Sequence, residues 1–452
     1  MNRFMIAGTR SGSGKTMITC ALLQAFVNRN LETASFKCGP DYIDPMFHSR
    51  IIGADSHNLD SFFCSSETVC FLLDKYSKEL NIIEGVMGFY DGVNGYASSC
   101  RLAVETNTPV VIVIDCKGMS DSIGALMYGF LNYIKPNNII GFIFNRLPER
   151  LEELAMSLCK KMNVIYFGRF PYEPECALES RHLGLVTAGE IKDLKEKTSR
   201  LAALAEQNIL IDRLLESTMR EDIVFSETSL SEKIPVENVR IAVAQDEAFC
   251  FYYKENLDIL RELGCETVAF SPMNDKKFPD NISGLIIGGG YPELYARRLS
   301  ENKELMAEIK SCIIDGMPTI AECGGFMYLH DELQDNEGKF YKTVGVINGR
   351  AFKTKKLRRF GYINMTANCD SLLFADGEQI PAHEFHYWDS TNTGSDLTAR
   401  KVSSGVEYLC GHTSPTLYAG FPHLYFYSDI NIAKRFAEKC SEYKDRKSYG
   451  IN

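Results

Sequence analysis

The chain has 452 residues, 45% of them hydrophobic and 24% charged, which is a globular composition too long for one ordinary core, so two domains are expected. The formal net charge of -10 excludes a basic nucleic-acid footprint, and any anionic substrate must be met by a local basic site. No apolar run reaches membrane-spanning length, and Met1-Asn2-Arg3-Phe4 leads at once into a strand and a Gly-rich loop, so neither an anchor nor a signal peptide is expected.

The first strand is expected at Phe4–Ala7. Gly8-Thr9-Arg10-Ser11-Gly12-Ser13-Gly14-Lys15-Thr16 follows, then an apolar helical run from Met17 to Val27. A Gly-rich loop between strand and helix turns successive N–H groups towards phosphate oxygens. Its lysine reaches the terminal phosphates, and its threonine hydroxyl can bind Mg²⁺. Gly12, Ser13, Gly14, Lys15 and Thr16 are therefore the expected ATP-binding residues, with Thr16 also a metal ligand. The first glycine stands one residue earlier than in the common spacing, and Arg10 occupies a place where one branch of P-loop proteins carries an extra lysine.

Ala34–Cys38 reads as the second strand, running into Gly39-Pro40-Asp41-Tyr42-Ile43-Asp44-Pro45. Two acids and Lys37 at a strand end suit metal binding and phosphate neutralisation, since ligands of open α/β sheets bind at that edge. Asn81–Glu84 is a strand ending in an acid of the Walker-B kind, followed by Gly85-Val86-Met87-Gly88-Phe89-Tyr90-Asp91-Gly92. Asp44 and Glu84 join Thr16 as expected metal ligands. Pro109–Asp115, Ile139–Asn145 and Val164–Pro171 are further buried strands, with Asn145 placed to read adenine. This alternation defines a parallel, doubly wound domain at residues 1–220. A polar stretch at 221–238 is the expected linker.

A second α/β domain is expected at 239–440, opening with the strand Val239–Ala244. Gly284–Ile287 is a strand running into Gly288-Gly289-Gly290-Tyr291-Pro292-Glu293, a run whose N–H groups suit an oxyanion hole, chiefly at Gly289 and Gly290. The next strand, Pro318–Glu322, ends at Cys323-Gly324-Gly325, with a helical run expected from Phe326 to Leu333. A strand–turn–helix of this kind lifts one side chain out of the sheet, and a helix N-terminus lowers a thiol pKa. A lone cysteine is more often a packed thiol than a nucleophile. Here the Gly-rich loop on the neighbouring strand favours chemistry.

The chain holds 15 cysteines with no Cys-x-x-Cys pair, which fits packed thiols in a reducing cytosol and argues against a zinc site. A cysteine nucleophile needs a base, usually histidine. His423 precedes an apolar run and is the preferred base; His383 and His386, in Pro381–Tyr387, lie in a charged strand-edge pattern better suited to ligand contact.

The motifs from Gly8 to Thr16, Lys37 to Pro45 and Glu84 to Gly92 resemble cobyrinic acid a,c-diamide synthase. So do Ala244–Tyr253, Gly288–Glu293, Ala321–Gly325 and His383–Tyr387. The set spans nearly the whole chain in the family's order. The resemblance implies an N-terminal dethiobiotin-synthetase-like P-loop domain and a C-terminal class I glutamine amidotransferase domain. It further implies ATP- and glutamine-dependent amidation of the a and c acetates of a corrin precursor, with Mg²⁺ as cofactor. Cys323 would be the glutaminase nucleophile and His423 its base, with Gly289 and Gly290 at the oxyanion hole. Lys37, Asp41, Tyr42, Asp91, His383 and His386 are the expected contacts to the macrocycle or its intermediate. The sequence departs from the wider amidotransferase class at Tyr425, where that class carries a glutamate two residues after the histidine. An enzyme acting on nickel-sirohydrochlorin or hydrogenobyrinic acid would carry almost the same motifs. A cobyric acid synthase-like enzyme resembles the chain in both domains. Partitioning-type ATPases share only the P-loop half. A cytoplasmic enzyme with a tetrapyrrole-derived substrate is expected, with no nucleic-acid or membrane partner; a homodimer is compatible with the sequence.

Overall fold

The computed structural model describes residues 2–93, 96–176, 188–221 and 236–448. The chain divides into two compact units, Met1–Ser226 and Glu227–Asn452. Most of the expected linker, 222–235, lies outside the described residues.

The N-terminal unit is built on seven strands: β1 (Asn2–Gly8), β2 (Thr33–Cys38), β3 (Asp55–Leu59), β4 (Leu80–Glu84), β5 (Val110–Asp115), β6 (Ile139–Asn145) and β7 (Ile165–Phe170). They form one sheet in the order β3-β2-β4-β1-β5-β6-β7, and every pairing is parallel. Parallel strands need both faces covered, and the central β5 is accordingly apolar up to its final Asp115. Phe4, Ile6, Ile82, Val111, Val113 and Ile143 pack in one cluster with Ile18, Leu22 and Phe26 of the helix Lys15–Asn28. Leu201, Ala202 and Ala205 of the helix Ala188–Asn208 join that cluster. Each such aliphatic or aromatic side chain contributes about 1.5–3 kcal/mol on burial. The edge strand β3 escapes an apolar-run reading because its residues are Asp-Ser-His-Asn-Leu. Its side chains find partners within the unit: Ser56 meets Ser35 at 2.7 Å, Asn58 donates to the Gly39 carbonyl at 3.0 Å, and His57 stacks on Tyr76 with Nε2 3.1 Å from Asp55.

The C-terminal unit contains β8 (Val239–Ala244), β9 (Phe249–Phe251), β10 (Cys265–Phe270), β11 (Gly284–Ile287), β12 (Gly289–Gly290) and β13 (Thr319–Glu322). It continues with β14 (His330–Gln334), β15 (Phe340–Lys342), β16 (Ile347–Lys353), β17 (Arg359–Ala367), β18 (Gln379–His386) and β19 (Trp388–Ser390). The last strands are β20 (Leu397–Lys401), β21 (Glu407–Cys410), β22 (His412–Ser414), β23 (Leu417–Gly420) and β24 (His423–Leu424). The central sheet runs β10-β8-β11-β13-β23-β22 and is parallel except for the β22–β23 pair. A four-stranded sheet (β15-β14-β16-β19) and a five-stranded sheet (β21-β20-β17-β18-β24) are added to it.

These added sheets correct the expectation of a helix from Phe326 to Leu333. The helix ends at Tyr328, and His330 begins β14. His330 is fully buried, with Nδ1 at 2.9 Å from the Phe326 carbonyl and Nε2 at 2.6 Å from Ser390 Oγ. Tertiary pairing with β16 overrides the local helical pattern.

Candidate active sites

In the N-terminal unit the functional side chains gather at the carboxyl ends of β1, β2, β4, β5 and β6. The P-loop turns back on β1: a Cβ on Gly8 would lie 2.1 Å from Ser13 Oγ. Gly12 and Gly14 take φ of 73° and 98°, a region open to glycine at little cost. Lys15 is buried, and its ammonium donates to the Met87 carbonyl at 2.6 Å. Burial, then the nearby Lys37, lowers its pKa.

Thr16 Oγ1 donates to Glu84 Oε1 at 2.5 Å, and Lys37 Nζ reaches the same oxygen at 2.9 Å. Lys37 also contacts Asp44 Oδ2 at 2.5 Å and Asp41 Oδ2 at 3.9 Å. Burial works against the Lys37 ammonium, but Asp44 and Glu84 outweigh it and hold it charged. Burial equally opposes the Asp44 carboxylate, and the Lys37 contact keeps its pKa low. Glu84 is fully buried and pushed up, chiefly by burial. Asp41 is pushed up to about 7 by burial and by the Asp44 charge. Its Oδ1 accepts from the Ile43 and Asp44 N–H groups at 2.8 and 3.3 Å, so it also ties the turn. Tyr42 leads directly into the helix Ile43–Phe47.

The structure thus brings Lys15, Thr16, Lys37, Asp41, Asp44 and Glu84 into one cluster. Lys37, expected at the macrocycle, is instead the counter-ion among the carboxylates. Among the described residues no group of three or more His, Cys, Asp or Glu is arranged to hold a metal ion. The donors nevertheless fit a hard cation bound jointly with phosphate. Thr16 presents a hydroxyl beside Glu84, whose Oε2 is buried and makes no hydrogen bond to the described residues. His48 Nε2 stands 3.6 Å from that oxygen, and burial lowers its pKa to about 4, so the ring is neutral at pH 7.

Two expectations change with the geometry. Asn145 is 3% exposed, and its Nδ2 donates to the Ser13 carbonyl at 2.9 Å. Through that nitrogen it clamps the P-loop, while its Oδ1 is buried and makes no hydrogen bond to the described residues. Asp91 Oδ2 accepts from Gly88 N–H at 2.8 Å, so its first task is to fold the Gly85–Gly92 loop. Sequence reading missed Arg146, which with Arg10 closes on Asp115: Arg146 Nε donates to Oδ1 at 2.8 Å and Arg10 Nη2 to Oδ2 at 2.9 Å. An arginine just past a strand-ending asparagine was the available signal.

In the C-terminal unit, β11 and β13 are parallel neighbours, so the loops that follow them meet. Gly325 N–H donates to the Gly288 carbonyl at 2.9 Å. Gly288 N–H is itself taken by Tyr252 Oη at 2.9 Å, which leaves Gly289 and Gly290 as the oxyanion candidates of the run. Cys323 sits at φ 47°, a sharply strained position for a non-glycine residue, between β13 and the helix Gly324–Tyr328. This is the geometry of a nucleophile elbow.

His423 lies within hydrogen-bonding reach of the Cys323 side chain. A Cβ on Gly289 would come within 2.7 Å of His423 Cε1, so that glycine gives the ring its place. Burial opposes the imidazolium, but the Cys323 and Glu322 side chains outweigh it and raise His423 to about 10. His383 pairs with His423 across β18 and β24, and burial, then the His423 charge, lowers it to about 3. His386 stacks on Phe421 at 3.9 Å with Nδ1 at 2.6 Å from the Trp388 carbonyl. Both rings are 8% exposed or less, and His386 Nε2 is buried with no hydrogen bond to the described residues. The accessible side chains of that segment are Phe385 and Tyr387, at 48% and 47%.

Residues 4–185 match the family model of the CobQ/CobB/MinD/ParA nucleotide binding domain. Residues 240–430 match that of the CobB/CobQ-like glutamine amidotransferase domain. Among curated proteins, the chain is 38% identical over 449 residues to the cobyrinate a,c-diamide synthase of Caldanaerobacter subterraneus subsp. tengcongensis, covering 97% of this chain and 98% of that one. It is 37% identical over 443 residues to the synthase of that name in Clostridium acetobutylicum, covering 96% and 99%. With that of Thermoplasma volcanium it shares 38% over 456 residues, covering 98% of each. A nucleotide-binding unit joined to a glutamine amidotransferase unit, matched end to end by such relatives, places the chain among ATP-dependent amide ligases that use glutamine: it belongs to the cobyrinate a,c-diamide synthase family.

Proposed function

We propose that this protein amidates the a and c acetate carboxylates of cobyrinate, taking ammonia from glutamine and activating each carboxylate with ATP as an acyl phosphate. The observation that carries the glutamine half is Cys323 at positive φ beside a buried His423. The Cys323 thiol gives its proton to His423, and the sulfur attacks the glutamine carboxamide. The Gly289 and Gly290 N–H groups receive the oxyanion. His423 returns the proton to the departing ammonia, and water then hydrolyses the thioester.

At the other site, Lys15 and the P-loop N–H groups hold the ATP phosphates and stabilise the transferring phosphoryl group. Mg²⁺, when bound by Thr16, Glu84 and Asp44 with the nucleotide, supplies further neutralisation of phosphate charge. Lys37 keeps the acids from repelling the incoming anions. Asp41, Tyr42 and the Asp91 loop border this cluster and are the groups assigned to the carboxylate-bearing substrate.

The chain is assigned to the cytoplasm. Among the described residues no helix is long and apolar enough to cross a membrane. Mass spectrometry of the product from cobyrinate, ATP, Mg²⁺ and glutamine tests the reading. Two added amides are expected. Amidation of nickel-sirohydrochlorin or hydrogenobyrinic acid alone, or at other side chains, would overturn the substrate assignment.

A further inference from the structure

The position two residues after His423 holds no acid. Tyr425 stands there, fully buried and packed edge-on against Tyr253 at 4.9 Å. A carboxylate nevertheless faces the ring from another element. Glu322, the last residue of β13, places Oε2 at 3.4 Å from His423 Nδ1. Its other oxygen accepts the Leu424 N–H at 3.0 Å, so the carboxylate is tied to the strand that carries the histidine.

The surroundings fix both ends of this contact. Glu322 pairs with Gly420 in the sheet, and Cys323 N–H donates to the Gly420 carbonyl at 2.8 Å. Asn256 holds the far side of β24, donating to the Leu424 carbonyl and accepting from Phe426 N–H, each at 2.8 Å. One residue at the end of β13 therefore presents the acid and the next presents the thiol.

We propose that Glu322 is the positioning acid of the glutaminase site. It accepts from Nδ1–H of His423, which fixes the tautomer and leaves Nε2 to take the Cys323 proton. This inference rests on His423 being the base of the proposed reaction. The role filled elsewhere in the class by a glutamate following the histidine is filled here by the residue preceding the nucleophile. The other titratable groups around the ring are Cys323, His383 across the β18–β24 pair, and Glu384 and His386 of β18; Arg359 sits beside Glu384.

The test uses the full chain carrying Glu322→Gln. The amide keeps the volume and an oxygen to accept from Leu424 N–H, but it loses the charge and turns donor hydrogens towards Nδ1. The kcat for glutamine hydrolysis is expected to fall about 10- to 100-fold, below the full value of a general base because the ring stays in place. The KM for glutamine is expected to change less than about twofold, and ammonia-dependent synthesis to persist. Alkylation of Cys323 by iodoacetamide, followed against pH, is expected to lose its low-pH reactivity.

Wild-type hydrolysis together with an unchanged alkylation profile would overturn the proposal. If Glu322→Gln does not fold, Glu322→Asp carries the test. It keeps the charge but draws it back by one methylene, so intermediate hydrolysis is expected and wild-type behaviour in both assays contradicts the role. A Cys323→Ala protein that still hydrolyses glutamine would sink the underlying reading instead, so the two failures are distinguishable.

Discussion

The two units solve the placement of buried charge differently. Around Glu84, Lys37 sits among three carboxylates, and charge is balanced by a network in which burial opposes every ionised member. Around Cys323 the work is done by backbone geometry and one ring: a strained elbow, a glycine that makes room for an imidazole, and a carboxylate behind it. The first site responds chiefly to charge changes; the second responds both to loss of the Glu322 charge and to added volume at Gly289. That difference predicts how each fails.

The largest effect is expected from Lys15→Ala. Loss of the phosphate-facing ammonium should reduce synthesis about 10³-fold or more with either glutamine or ammonia, because phosphoryl transfer is mostly electrostatic stabilisation. Glutamine hydrolysis measured by glutamate release should survive, since the elbow lies in the other unit. Loss of hydrolysis in parallel would erase the contrast between the sites.

Gly289→Ala tests shape. The new methyl would lie 2.7 Å from His423 Cε1 and must push the ring aside. Glutamine hydrolysis should fall about 10- to 100-fold, the cost of misplacing a catalytic group by a fraction of an ångström, with ammonia-dependent synthesis retained. Normal hydrolysis would mean that the ring has more freedom than its packing implies.

Lys37→Met tests the network. Removing the ammonium that contacts buried Glu84 and Asp44 leaves uncompensated charge, which costs about 3–5 kcal/mol of stability. Urea unfolding should show the loss at pH 8 and a smaller one at pH 5, where the carboxylates take protons. An equal loss at both would point to packing instead.

The smallest effect concerns Asp41. Its folded pKa is pushed up to about 7 from the ordinary aspartate value of 3.8, so between those values the folded chain holds a proton that the unfolded chain has lost. This group's contribution to stability is therefore largest at low pH and declines as pH rises towards 7. Asp41→Asn should flatten that part of the melting-temperature profile. A profile identical to the wild type would remove Asp41 from the network.

Legibility followed contiguity. The P-loop could be read in full because strand, glycines, lysine and hydroxyl occupy adjacent positions, and the parallel strands announce themselves as apolar runs. Cys323 and the Gly288–Gly290 run were visible for the same reason. Glu322 was hidden in plain view: it reads as the end of a strand, and only the β13–β23 pairing and the return of β24 bring it to Nδ1 of a residue far along the chain. Asn145 and His386 look like ligand contacts as residue types, yet each commits one polar atom to the backbone, Asn145 Nδ2 to Ser13 and His386 Nδ1 to Trp388. The sheets β14 to β22 went unread because their strands are short and half exposed, so their alternation is set by tertiary pairing more than by composition.

We infer that Cys323 releases ammonia from glutamine and takes no part in the ATP-dependent step. This is tested most directly by assaying Cys323→Ala for cobyrinate amidation with glutamine and, separately, with ammonium. No product is expected with glutamine, and near wild-type diamide with ammonium. Full glutamine-dependent activity, or loss of both activities in a folded protein, would contradict it.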